Sequence, residues 1–260
     1  MKALILAAGQ GRRLRPLTDA CPKCLLSIGA HSILERQLLN LEQCGIGEIV
    51  LVCGFGIEQI RQRVANYPGS LHIKILYNPF YAISENLISL WAVRSEMNED
   101  FLLLNGDNVF HPGIIHKLLA AREPYCLMID RKISYDEDDM KLSVQDTHIL
   151  RIGKLLPAAA TDAASIGIMK FAGTGIAHIR RVLEEIVLQE KAVRGYFLDS
   201  VQHLINHGYP VTYREVDGLP WADVDTPEDL QTVRQQPHLY QEDAVLQSSL
   251  SLRDSGGDNS

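Results

Sequence analysis

Lys2-Ala3-Leu4-Ile5-Leu6-Ala7-Ala8-Gly9-Gln10-Gly11-Arg12-Arg13-Leu14-Arg15-Pro16-Leu17-Thr18 decides how the chain reads. From Lys2 to Ala8 the run is short and apolar, the pattern of a strand buried on both faces of a parallel sheet, and Gly9 closes it. The loop beyond is glycine-rich and basic. Gly9 and Gly11 let backbone N–H groups come close to phosphate oxygens, while the three arginines and Lys23 can neutralise a triphosphate. A P-loop needs Gly-Lys-Ser/Thr after four spacer residues, and a dinucleotide fingerprint needs a third glycine where Leu14 stands; both are excluded. Gly-x-Gly alone would read equally as a tight turn, and the adjoining arginines favour a nucleotide site.

Outward from this loop, Ile33, Leu34, Gln37, Leu38 and Leu41 keep helical spacing and Glu48 to Cys53 is a second strand-like run. The alternation continues with a helix over 58–66, a strand over 71–77, a helix over 86–97 and a strand over 101–104 that ends in Asn105-Gly106-Asp107. The expected fold class is α/β, a mostly parallel Rossmann-like sheet with helices on both faces. Ligands of such sheets bind beyond the carboxyl ends of the strands, where loops 9–18 and 105–108 fall. After Asp130 the segments shorten (141–145, 149–152, 166–171), predicting a small mixed-sheet region over the site. Helices over 174–189 and 197–207 and a strand over 211–216 follow.

Residues 1–236 read as one domain: 1–130 a nucleotide-binding half, 131–220 an acceptor-binding region, 221–236 a metal-ligand motif and last helix. Residues 237–260, rich in Ser, Gly, Asp and Gln, read as a mobile tail. The 260 residues, 46% hydrophobic and 22% charged, suffice for one large core. A net charge of -7 argues against sequence-independent binding of nucleic acid. No apolar run reaches the roughly 18 residues of a membrane helix and no secretory pattern opens the chain, so the expected compartment is the cytoplasm, without membrane contact. The five cysteines read as reduced thiols. Cys21 and Cys24 have C-x-x-C spacing without a second pair, and His203 and His207 lack a third ligand; neither pair reads as a metal site.

Three motifs stand in order: Leu6 to Leu25 with its Pro22-Lys23-Cys24-Leu25, Gly106-Asp107-Asn108, and Trp221-Ala222-Asp223-Val224-Asp225-Thr226-Pro227-Glu228-Asp229-Leu230. Together they closely resemble the nucleotidyltransferase family that includes sugar-phosphate nucleotidyltransferases and phosphocholine cytidylyltransferases. The resemblance implies a fold of the nucleotide-diphospho-sugar transferase type. It implies that Arg13 and Lys23 are the catalytic cations, and that Leu6, Ala8, Gly9, Gly11 and Arg13 line the nucleotide. Asp107 matches the aspartate that binds Mg2+ beside the nucleotide, with Asp223 and Asp225 as candidates for the second metal ligand. Residue chemistry agrees, since a hard dication bridging phosphates is usually held by one or two carboxylates. Read alone, Asp107 could equally be a turn residue and Asp225 a helix N-cap.

Ser84 to Trp91 resembles the Asn-Leu-x-Ser-Leu stretch of the cytidylyltransferase branch, which would place Ser84 and Asn86 near the base; as bare residues they also suit a helix cap. Asp130-Arg131-Lys132, the acidic run Asp136 to Asp139, Ile152-Gly153-Lys154 and Ile166-Gly167-Ile168 look like enzymes acting on phosphocholine, aminoethylphosphonate or inositol phosphate. Asp130, Tyr196 and Trp221 are the candidate acceptor-binding residues, and the acidic loop with nearby Tyr196, Tyr213 and Trp221 could hold an ammonium headgroup through carboxylates and aromatic faces. A solvated charge run and core aromatics are the competing reading. Where the branch often carries Gly-Glu-aromatic, this chain has Ala163-Ala164-Ser165, which leaves an uncharged hydroxyalkyl phosphonate or a polyol phosphate open.

The expected function is Mg2+-dependent transfer of CMP from CTP to a small phosphate- or phosphonate-bearing alcohol, with pyrophosphate released and no protein nucleophile. The alternatives are a sugar-1-phosphate or inositol-phosphate nucleotidyltransferase and a non-catalytic nucleotide-binding member of the fold. CTP and the acceptor are the expected partners, and a homodimer stays open.

Overall fold

A computed structural model describes residues 1–241. In chain order the strands and helices are β1 (Lys2–Ala7), the short hairpin β2 (Ser27–Ile28) and β3 (His31–Ser32), α1 (Ile33–Gln43), β4 (Glu48–Cys53), α2 (Ile57–Ala65), β5 (His72–Tyr77), α3 (Asn86–Ala92), β6 (Phe101–Asn105), β7 (Asn108–Phe110), α4 (Gly113–Ala120), β8 (Tyr125–Asp130), β9 (Lys141–Gln145), β10 (His148–Gly153), β11 (Ala163–Phe171), α5 (Thr174–Ile186), α6 (Phe197–Asn206), β12 (Thr212–Glu215), β13 (Trp221–Asp223) and α7 (Pro227–Gln235).

Nine strands form one sheet in the order β5-β4-β1-β6-β11-β8-β12-β10-β9. The first four are parallel, as the alternating strand and helix pattern predicts. β11 then enters antiparallel between β6 and β8, β12 returns parallel to β8, and β10 and β9 close the far edge antiparallel. The mixed region expected over the site is therefore a continuation of the main sheet. β11 makes the join: all nine of its residues are buried, and it pairs with β6, β8 and β9.

Alternate residues of β1 feed the two faces of the sheet. Leu4 and Leu6 join the core under α3, α5 and α6, while Ala3, Ile5 and Ala7 join the one under α1 and α4. A third cluster unites Leu14 of the glycine loop, Ile28, Ile33, Val109, Val224, Leu230, Val233 and Tyr240. It ties the loop, β7 and α7 into one body around the carboxyl ends of β1 and β6.

Two expectations shift. The helix expected over 86–97 stops at Ala92 and a 3-10 turn, Arg94–Glu96, continues it, with Val93 and Met97 fully buried in the core. Pro237 to Tyr240, expected as the start of a mobile tail, is ordered. Pro237–Tyr240 is a 3-10 turn docked on α1, where Arg36 Nη1 donates to Pro237 O at 2.9 Å and Asn40 Nδ2 to Tyr240 O at 3.2 Å. Composition averaged over 237–260 hid the apolar pair Leu239-Tyr240, whose tyrosine is 6% exposed. Residues 242–260, the rest of that expected tail, lie outside the described residues. Among the described residues no helix is long and apolar enough to cross a membrane.

Candidate active site

The glycine loop leaves β1 and folds back as a 3-10 turn, Arg12–Leu14, whose N-cap Gly11 adopts φ 61°. That conformation favours glycine, and space enforces it too: a Cβ at Gly11 would stand 3.0 Å from Lys23 Cβ and 3.1 Å from Thr18 Cγ2. Thr18 Oγ1 donates to Gly11 O at 2.7 Å, and Arg12 reaches Gln10 Oε1 and Ala82 O, both at 2.9 Å. The loop is thus shaped before any ligand arrives. Gly9 is exposed with open space around its Cα, so an anion can approach its backbone. Leu6 and Ala8 are buried, and their carbonyls accept from Gly106 N at 2.9 Å and Phe55 N at 3.2 Å.

Lys23 heads a second 3-10 turn, Lys23–Leu25, and its side chain is 12% exposed. Its ammonium bridges Asp107 Oδ2 at 2.8 Å and Asp225 Oδ1 at 2.5 Å. Arg13 lies against the other Asp225 oxygen at 2.8 Å and reaches Asp138 Oδ2 at 2.5 Å. Burial opposes both cations' charges, but the facing carboxylates outweigh it and hold both proton affinities above their ordinary values. Asp225 also resists burial and is held below the ordinary carboxylate range by Lys23 and Arg13.

Asp107 sits in the turn between β6 and β7. Gln37 of α1 clamps that turn from below, donating to Asn105 O at 2.8 Å and Asn108 O at 2.9 Å. Gly106 presses against β1, where a Cβ would fall 2.6 Å from Ala7 Cβ. Val224 N donates to Asp107 O at 3.1 Å, joining the turn to the third motif. Asp225 is not a helix cap: Thr226 caps α7, with Asp229 N donating to Thr226 Oγ1 at 3.2 Å, and Asp229 Oδ2 takes the Asp225 and Thr226 amides. The Asp225 carboxylate is thereby left to face the cations.

Of the three carboxylates expected at a metal, Asp107 and Asp225 share Lys23, and Asp223 bonds Asn108. Asp223 pairs across the β7–β13 ribbon with Asn108, whose amide hydrogen-bonds its carboxylate. Burial first, then the charges of Asp107 and Asp225, push the Asp223 proton affinity well up. Among the described residues no three His, Cys, Asp or Glu side chains form a ready metal cage. The pair Asp107 and Asp225 nevertheless fits a magnesium ion that completes its shell with water and phosphate oxygens. Asp107 Oδ1 is buried and without a hydrogen-bond partner, an oxygen such an ion would satisfy.

Neither Ser84 nor Asn86 caps α3. Ser84 Oγ donates to Phe80 O at 2.9 Å and closes the 80–84 loop, to which Arg12 holds the glycine loop. Asn86 Nδ2 donates to Asn105 Oδ1 at 3.0 Å and its oxygen accepts from Phe197 N at 2.7 Å, locking β6 to α6 beside the site. Asp130 and Trp221 come together, Trp221 Nε1 donating to Asp130 Oδ2 at 2.9 Å. Tyr196 lies under Lys154, whose Nζ is 4.5 Å from the ring centroid.

Sequence reasoning read Asp138 only as part of an acidic loop and Lys154 only as part of a motif, and gave neither those two nor Asn105 a place beside the glycine loop and β6. Asp138 ties Arg13 to Lys154, the latter at 3.2 Å. The only signal for it was an acidic run in a chain with a basic loop, and the 125 residues separating Asp138 from Arg13 hid the pairing. Cys24 is buried and its thiol is pushed far up by burial, so the C-x-x-C spacing supplies no reactive thiolate.

The family described as the MobA-like NTP transferase domain matches residues 3–137. A CMP-5'-(3-aminopropyl)phosphonate synthase of Streptomyces rubellomurinus is 27% identical over 238 residues, covering 88% of this chain and 37% of that protein. A CTP:phosphoglutamine cytidylyltransferase of Campylobacter jejuni is 25% identical over 253 residues, covering 89% of this chain and 98% of that protein. The chain thus spans about a third of the first relative and nearly all of the second. Among solved structures, the inositol-1-phosphate CTP transferase of T. maritima superposes with a TM-score of 0.75 at 19% identity, covering 90% of this chain and 96% of that one. At that identity the likeness concerns the fold.

Proposed function

The chain belongs to the MobA-like NTP transferase domain family, and from that premise we propose that it transfers CMP from CTP to a small phosphate- or phosphonate-bearing acceptor. The observation that carries this reading is the Lys23 ammonium held between Asp107 and Asp225, with Arg13 on the outer oxygen of Asp225. Two cations and two carboxylates stand at the carboxyl ends of β1 and β6, beside a glycine loop open to an anion.

An acceptor oxygen would attack the α-phosphorus, forming a phosphoanhydride or phosphonate–phosphate bond as the bond to the pyrophosphate oxygen breaks. Lys23 and Arg13 offset the negative charge of two approaching anions and hold them in line. Asp107 and Asp225 would hold the magnesium ion, which supplies further charge neutralisation on phosphate oxygens. Arg13 must exchange Asp138 for a phosphate oxygen. No side chain needs to be a nucleophile. The cytosine preference draws support from two relatives whose names specify CMP or CTP.

The test is pyrophosphate release from each of the four nucleoside triphosphates with magnesium, against phosphocholine, aminoalkyl- and hydroxyalkylphosphonates, inositol phosphate and hexose 1-phosphates. Asp107→Ala is the blank. Turnover with CTP and a small phosphate or phosphonate is expected. Turnover confined to a hexose phosphate with another triphosphate moves the chain to the sugar branch, and silence throughout leaves a nucleotide-binding protein without this reaction.

A further inference from the structure

We propose that the acceptor presents a carboxylate, not an ammonium, as the headgroup beyond its phosphate or phosphonate, and that Lys132 reads it; this rests on the cytidylyl transfer proposed above. Trp221 and Asp223 are two apart on β13 and so share one face of the ribbon. A ligand reaching along that face from the carboxylates meets Trp221 next.

That ring is already occupied. Lys132 Nζ lies 5.4 Å from the Trp221 ring centroid, and the indole N–H is spent on Asp130. The second candidate ring, Tyr196, is covered by Lys154. An ammonium headgroup would have to evict a lysine from a ring and exchange one cation for another, with no net gain in cation–π attraction. Three carboxylates of the acidic run are already committed. Asp139 accepts from Lys132 Nζ at 2.6 Å and from Asp136 N at 3.0 Å, Asp138 lies between Arg13 and Lys154, and Asp136 takes the amides of 138 and 139. Ala163, Ala164 and Ser165 on β11 are buried and bring no acid.

Lys132, by contrast, can accommodate an anion. Its side chain is 31% exposed, and an ammonium has three donors, of which Asp139 takes one. Its position is fixed on one side by Asp139 and on another by the indole face.

The experiment compares kcat/KM with CTP for three ethylphosphonates that differ only in the distal group: 2-carboxyethyl-, 2-hydroxyethyl- and 2-aminoethylphosphonate. The expected order is carboxylate, then hydroxyl, then ammonium, with about tenfold or more between first and last, as for one charge-assisted hydrogen bond. In Lys132→Met the carboxylate-to-hydroxyl ratio should fall to about one, mostly through KM, and in Lys132→Glu the order of carboxylate and ammonium should reverse. A wild-type preference for 2-aminoethylphosphonate, or a ratio unmoved in Lys132→Met, overturns the inference while leaving cytidylyl transfer intact. No turnover with CTP in this series or with phosphocholine, inositol phosphate and hexose 1-phosphates removes the transfer reading itself, and the inference with it.

Discussion

Lys23 is asked to do two things that pull in different directions. Without nucleotide it is the counter-ion that lets Asp107 and Asp225 face one another, and with nucleotide it must serve phosphate oxygens. Lys23→Met should therefore leave two like charges together and destabilise the protein by about 2–3 kcal/mol, below the roughly 3–5 kcal/mol of a fully buried pair because water partly screens both carboxylates. Urea titration checks this, and the deficit should shrink when magnesium is added. The pH window has a defined sign. Asp225 is held below its ordinary value, so its contribution is present above the unfolded pKa of about 3.9 and is lost as pH falls through the folded value. Lys23 is held above its ordinary value, so its contribution is present below about 10.4 and is lost as pH rises through the folded value. The stability gap between wild type and Lys23→Met should be widest between about pH 5 and 9 and close at either end; a gap constant from pH 3 to 7 would show that the bridge is not what the residue contributes. Catalysis should fall by roughly 10²-fold or more. Gly11→Ala probes the same spot from the backbone: φ 61° and the 3.0 Å approach to Lys23 Cβ predict a loss of about 1–2 kcal/mol.

At the scale of elements, α1 links stability to the site. Its N-terminus is a complete capping box, Ser32 Oγ accepting from Glu35 N at 3.2 Å while the Glu35 carboxylate takes Ser32 N at 2.8 Å. Ser32→Ala should cost about 1 kcal/mol in denaturant. One turn on, Gln37 holds the β6–β7 turn by two carbonyls. Gln37→Leu strips both of a buried donor and lets Asp107 drift, so kcat should fall on the order of 10²-fold as from a 1 Å misplacement, with the fold intact by circular dichroism. Unchanged kcat would mean the turn is held by β1 alone. These elements also mark how far sequence reached. The parallel half of the sheet was legible because β1, β4, β5 and β6 have short local patterns and a helix between each successive pair. β7 and β13, three residues each, were not, since a pairing 115 residues apart (Asn108 with Asp223) leaves no local period. The glycine loop, Lys23, Asp107 and Asp225 were legible as residue types in motifs. That Asp223 turns to Asn108, and that Asp138 reaches Arg13, depends on tertiary approach and had no sequence signature.

Across the whole molecule, the site is assembled from the first, middle and last parts of the described chain. Residues 11–23, 107 and 225 meet only when the sheet, the β7–β13 ribbon and α7 are all in place. The third cluster, with Leu14, Val109, Val224 and Tyr240, makes that meeting cooperative. Tyr240 is a distant member of it, and Tyr240→Ala should cost about 3 kcal/mol, as for other buried aromatics. It should also couple in a double-mutant cycle to Asn40→Ala, because Asn40 bonds both Tyr240 O and, in β7, Phe110 O. Ligand binding should stabilise the same assembly. At CTP and magnesium near 100 times the dissociation constant, linkage gives about 2.7 kcal/mol, which for a domain of this size is a rise in Tm of roughly 5–10 °C. That constant already includes the opening of Arg13 from Asp138, so Asp138→Asn should bind CTP more tightly and show a larger rise at the same concentration. Asp225→Asn should show almost none, since one carboxylate and the partner of both Lys23 and Arg13 vanish together. Equal rises in wild type and Asp225→Asn would place the nucleotide away from this cluster, and with it the catalytic centre.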